Sequence, residues 1–227
     1  MHKFLTAALA TGLLASPFAV HADEDEPIDF VIEDGKVIPT EDFAVMVSVL
    51  GAALTNGAGG NDVPVTAEVR IGGDIILHPW GDAASLDGDI NTHGPTRHHI
   101  VREQFLAEDG LEITFTGRSF LPNGDVMMEV NSHDEGVQVI VLRDGDDAPS
   151  LAGFGDQDDA EAFVAPYIDY DTGKMTMDQN QAIYLFELGT SDVDSAAADF
   201  QDLVVLVTLG EEPRDFYQYT DLEALYD

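Results

Sequence analysis

Two stretches constrain the fold more than anything else in the chain, Ala182 to Leu188 (AIYLFEL) and Leu203 to Leu209 (LVVLVTL). Glu187 and Thr208 excepted, they are apolar at every position, so both faces of an extended segment ask for burial. They read as central strands covered on both sides, near the middle of their sheets. Further apolar runs lie at Phe43 to Leu50, Val63 to Ile71, Ile100 to Phe105, Leu111 to Phe120, Val126 to Val130 and Val137 to Leu142. Alternation is clearest where Val65, Ala67, Val69 and Ile71 face one way and Thr66, Glu68 and Arg70 the other, which predicts a half-buried strand. Ile28, Phe30 and Ile32 meet Val37 across Glu33-Asp34-Gly35, a hairpin with a three-residue loop, and the same Glu-Asp-Gly turn recurs at Glu108 to Gly110. One helix is predicted, from Asp158 to Ala165, stopped by Pro166. Eight or more short strands divided by Gly and Asn turns predict an all-β chain, an antiparallel, jelly-roll-like β-sandwich with one short helix.

The first 22 residues set the expected compartment. His2 and Lys3 precede an apolar stretch from Phe4 to Leu14, and Val20-His21-Ala22 makes a small-residue cleavage site, the pattern of a secretory signal cut after Ala22. The expected organisation is a signal at 1–22, a β-sandwich domain at 23–210 and an acidic, aromatic tail at 211–227, in a secreted or periplasmic protein with no membrane span. Nine Lys and Arg against 44 Asp and Glu leave a formal charge of -35, which excludes nucleic acid and anionic membrane as partners and favours divalent cations. Such an Asp-heavy, Lys-poor surface suits a saline, halophilic habitat in which self-repulsion is screened. With no Cys there are no disulfides, thiolate metal sites or cysteine nucleophiles.

The chemistry-bearing residues are mostly loop carboxylates. Asp87-Gly88-Asp89-Ile90-Asn91 has alternating oxygen ligands but fails as an EF-hand, with Thr92 in place of the glycine and His98 in place of the bidentate glutamate. Other clusters are Asp144, Asp146 and Asp147; Asp156, Asp158 and Asp159; Asp169 and Asp171; and Asp192, Asp194, Asp199 and Asp202. The last is distinguished by its setting. Asp199 and Asp202 run into one two-faced apolar strand and Glu187 ends the other, so acids gather where buried strands emerge. A hard divalent cation, Ca2+, would offset the cost of burying them, and its expected ligands are Glu187, Asp192, Asp194, Asp199 and Asp202. Turn capping by Asp199 and Asp202 through their own backbone is the competing reading.

Ile183-Tyr184-Leu185-Phe186-Glu187, an acidic loop, and Asp199-Phe200-Gln201-Asp202-Leu203-Val204-Val205 resemble the closing segment of an uncharacterised β-rich domain of secreted bacterial surface proteins, in which a Phe-Glu-Asp strand precedes an Asp-Phe/Tyr-Asn-Asp strand. The resemblance spans residues 183–209, with Leu188 where the family has Asp and Gln201 where it has Asn. It implies an exported β-domain with acidic loops suited to calcium, and carries no known activity.

The histidines His78, His93, His98, His99 and His133 are a second set. On a strand His98 and His99 point to opposite faces, so only one can join a given site, and two His four apart on a helix are absent. Met175 and Met177 share one strand face, where core packing is the usual role. No Gly-x-Ser-x-Gly elbow, phosphate loop or dinucleotide fingerprint is present. Trp80, beside Pro79, could stack a sugar ring, and Trp80 and His98 are the ligand-contacting candidates. The sequence therefore reads as a secreted, non-enzymatic, calcium-stabilised β-sandwich module acting in adhesion or in binding a polysaccharide, surface or matrix protein. An exported polysaccharide-active enzyme with a carboxylate pair and a periplasmic metal-binding protein using the histidines are the alternatives.

Overall fold

A computed structural model of the protein describes residues 28–57, 60–73, 75–78, 89–91, 97–134, 137–150 and 160–219. The strands are β1 (Phe30–Glu33), β2 (Lys36–Pro39), β3 (Ala44–Gly51), β4 (Val65–Ile71), β5 (Ile75–Leu77), β6 (Arg97–Ile100), β7 (Ile113–Phe120), β8 (Val126–Asn131) and β9 (Val139–Leu142). A short helix α1 (Ala160–Val164) follows, and then β10 (Ile168–Asp169), β11 (Lys174–Met175), β12 (Gln181–Phe186) and β13 (Leu203–Gly210). They form one sheet in the order β1-β2-β7-β4-β5, with β8 also on β7, a second in the order β6-β3-β13-β12-β9, and the small ribbon β10-β11. Every pairing among these strands is antiparallel. The chain is all-β, and its two main sheets face each other as a sandwich.

The two-faced apolar stretches become β12 and β13, paired from Gln181↔Thr208 to Phe186↔Leu203 inside the second sheet. Their alternate residues go to two different cores. Ala182, Tyr184, Phe186, Val205 and Val207 meet Val65, Val69 and Phe115 of the first sheet, and the Phe115 and Tyr184 rings lie 4.7 Å apart. Ile183, Leu185, Val204 and Leu206 point the other way, under Ala160 and Val164 of α1 and the side chains of Met175 and Met177. A strand needs apolar residues on both faces only when both are covered, and the second cover here is the segment around α1 and the ribbon.

Several local expectations are corrected. β4 is buried along both faces, because Glu68, 5% exposed, sits under an ionic cover from Arg70 (2.6 Å), Arg118 (3.1 Å) and His78 (3.5 Å). The expected strand at Ile100 to Phe105 lies earlier, as β6; beyond it the Val101 N–H still donates to the Val45 carbonyl at 3.0 Å, and Phe105 bridges Phe43. Glu108 to Gly110 is no hairpin loop; a 3-10 turn at Ala107–Asp109 ends on Gly110 at φ +61°. The first hairpin has a two-residue loop, since Glu33 pairs with Lys36 and both Asp34 (φ +48°) and Gly35 (φ +71°) are left-handed. That is a type I′ turn, whose twist matches the strands it joins. A Cβ on Gly35 would lie 1.7 Å from the Ser132 carbonyl oxygen, so glycine is required there for space as well as for φ. Asn accepts the left-handed region more readily than Asp, so Asp34→Asn should raise stability by about 0.5 kcal/mol, read as a higher urea midpoint at unchanged slope.

The signal at 1–22, Trp80, His93, Asp87, Asp156, Asp158, Asp159 and the last part of the expected tail, 220–227, lie outside the described residues.

Candidate metal centre

β12 and β13 are joined by a long loop whose two ends are pinned together by acids. Glu187 leaves β12, Asp199 to Asp202 enter β13, and the Phe186↔Leu203 pairing sets Glu187 and Asp202 side by side at the mouth of this hairpin. Glu187 is 0%, Asp202 1% and Asp199 2% exposed, and each offers an oxygen within 4.8 Å of the other two. Asp192 and Asp194, at the loop's far side, are exposed and outside this group; Asp192 Oδ1 accepts the Asp194 N–H in a local turn.

Glu187 organises the loop. Its Oε1 accepts the N–H groups of Gly189 (2.9 Å) and Thr190 (2.8 Å), and its Oε2 those of Asp199 (3.0 Å) and Phe200 (3.3 Å). Successive N–H groups converging on one oxygen make an anion-holding concavity. The second such pair requires Phe200 at φ +57°, a conformation that costs a non-glycine residue about 1–2 kcal/mol and is held here by the bonds it makes possible.

The other acids close over this carboxylate. Asp202 Oδ2 accepts the Leu188 N–H at 2.6 Å, and Asp199 Oδ2 accepts from Gln201 Nε2 at 2.9 Å. Burial, reinforced by the neighbouring charges of Glu187 and Asp199, pushes the Asp202 carboxyl well above the ordinary carboxylate range, despite the Leu188 N–H, which favours its charged form. Gln201, 0% exposed, leaves its Oε1 buried with no hydrogen-bond donor. Gly189 packs closely over this group: a Cβ there would lie 3.0 Å from Leu54, 3.3 Å from Glu187 Oε1 and 3.4 Å from Asp202 Oδ2.

Three buried carboxyl groups with oxygens within 4.8 Å of one another are the kind of donors a hard cation takes, and calcium accepts such irregular sets. Among the described residues, acids of the other clusters are used locally. Asp144 accepts the Met177 N–H, Asp146 the Arg143 N–H, and Asp169 the Asp171 N–H, while Asp147 pairs with Lys174. Asp89 and Asn91 tie Val65, Leu54 and Val63 by backbone bonds, as a structural clasp. Among the described residues no histidine joins a group of three or more metal-ligating side chains. His78 faces Glu68 and His98 Nδ1 lies 2.7 Å from Ser48 Oγ. Met175 and Met177 are core residues under the second sheet. Gly189 was not singled out by sequence; Gln201 was marked only as standing where the resembled family has Asn, between two acids at a strand entrance.

No family model matches the chain, nor does any curated protein or solved structure.

Proposed function

We propose that the protein is an exported, non-enzymatic β-sandwich module, stabilised by a calcium ion at Glu187, Asp199 and Asp202, that serves to bind a ligand or partner at a surface or in a matrix. The observation that carries this reading is the buried acid group itself, three carboxyls with oxygens within 4.8 Å of one another. No Lys or Arg ion pair reaches Glu187 or Asp202 among the described residues; four N–H groups hold the Glu187 charge, and a cation from solvent would compensate the acids crowded beside it. An enzyme needs its carboxylates within reach of substrate, and acids at most 2% exposed do not offer that. A second reading has its own observation: Asp202 is within hydrogen-bonding reach of Glu187, so a shared proton could replace the ion.

Melting with calcium and with chelator separates the two. Extracellular modules bind calcium with Kd of ~10⁻⁴ to 10⁻³ M, so at about 10 mM calcium the ligand exceeds Kd some 10 to 100 times. Mass action then adds ~1.4 to 2.7 kcal/mol, roughly 3 to 10 °C in Tm for a chain of this size. An unchanged Tm would leave the shared proton as the explanation of the buried acids.

A further inference from the structure

The outer face of the second sheet carries two separate covers. One is α1 with the β10-β11 ribbon, packed on Ile183, Leu185 and Leu206. The other is the 3-10 turn Pro213–Tyr219, whose Phe216 packs on Ala44 and Met46. Between them the sheet is left open as a cleft. One cavity of about 340 Å³ has Met46, Leu206 and Met177 among its apolar lining and Tyr167, Tyr219 and His98 among its rings. A second, of about 290 Å³, shares Asp178, Gln181 and Tyr219 with it.

We propose that this cleft binds a neutral saccharide unit. The inference rests on the reading of the protein as a binding module and is independent of the cation. Its size, its aromatic wall, its polar groups and its charge all point to this ligand class. The volume falls at the lower end of the ~300–1,000 Å³ typical of small-ligand sites. On the aromatic wall the His98 and Tyr219 rings lie 5.6 Å apart at 47°, and the imidazole is anchored through Nδ1 on Ser48. Partial burial holds that imidazole below its usual pKa, so it meets a ligand as a neutral group.

The polar complement calls for both donors and acceptors. Asn180 lines the second cavity; its Nδ2 donates to the Leu209 carbonyl, while its Oδ1 is buried without a hydrogen-bond partner. That oxygen is enclosed, and the groups open to a ligand are the exposed Thr176 and Asp178 with the Tyr167 and Tyr219 hydroxyls; a sugar hydroxyl can both donate to and accept from such a set, and a quaternary ammonium can do neither. The Gln181 side chain is fixed at both ends, accepting from the Asp178 N–H and donating to Thr208 Oγ1, which makes the polar edge of the cleft a set of oriented groups. Charge selects against acidic sugars. Neither cavity has a Lys or Arg among its described lining residues, whereas Asp178, Glu211 and Asp215 line the second.

The test is titration of the intact protein with neutral cello-, xylo-, manno-, laminari- and chito-oligosaccharides, with oligogalacturonate and tetramethylammonium as charged probes, followed by NMR of the histidine ring protons and by calorimetry. At least one neutral oligosaccharide should bind with Kd of about 1 mM or tighter and move the His98 signals. Tyr219→Ala and His98→Ala should each weaken it about tenfold, with the calcium-dependent rise in Tm unchanged. Absence of binding by every neutral sugar, binding that survives both substitutions, or preference for either charged probe would overturn the proposal. Sugar binding beside a flat calcium response would support this cleft and remove only the cation reading.

Discussion

Glu187→Gln should be among the most damaging single substitutions in the chain, costing about 3 kcal/mol or more. Four backbone N–H groups at both ends of the β12-β13 loop converge on its two oxygens. An amide retains one oxygen and turns a donor toward the pair of N–H groups that faced the other. Each buried N–H left without an acceptor costs about 1–3 kcal/mol, and hydrogen bonds to a charged acceptor are the stronger kind. Against a total stability of about 5–15 kcal/mol, that loss is large. Chemical denaturation in chelator isolates this effect from the ion: the variant should be strongly destabilised even there. A loss below about 1 kcal/mol in chelator would mean that Glu187 does not hold the loop.

Asp202→Asn should do the opposite in chelator and abolish the response to calcium. Asn keeps an acceptor for the Leu188 N–H, supplies a donor toward Glu187 and removes one of three crowded negative charges. At neutral pH in chelator the variant should therefore match or exceed the wild type. In about 10 mM calcium it should forgo the ~1.4 to 2.7 kcal/mol that the wild type gains. The pH dependence follows from the raised Asp202 carboxyl. Its folded pKa lies above its unfolded value, so its contribution is complete below the ordinary carboxyl range and is lost as pH rises through the folded value. In chelator the wild type should fall behind Asp202→Asn as pH rises through that window, and the gap should close toward the acid end. Retention of the full calcium shift by Asp202→Asn would place the ion elsewhere. Equal pH profiles for the two proteins would show that Asp202 is not the group that titrates.

The two apolar stretches around Ile183 and Val205 required central strands, because an unbroken run of apolar side chains cannot be buried by a sheet covered on one face. The acids flanking them, Glu187, Asp199 and Asp202, could be named as a group because strand ends fix where their neighbours emerge. The sequence did not show that Asp192 and Asp194 would stay in solvent, since residues two apart in a loop carry no information about which way the chain folds back. Nor could it show that Glu68 would be buried. Its alternation with Ala67 and Val69 reads as a solvent face, and only the convergence of Arg70, Arg118 and His78 from three strands and their connections covers it. The left-handed Phe200 was equally hidden, because the N–H groups it aims at Glu187 belong to a contact spanning 13 residues. Local patterning determined which segments become strands and which of their faces are apolar. Tertiary packing decided which charges are enclosed, which amide oxygen is left without a donor, and where the sheet stays open between its covers, because those depend on distances between segments remote in sequence.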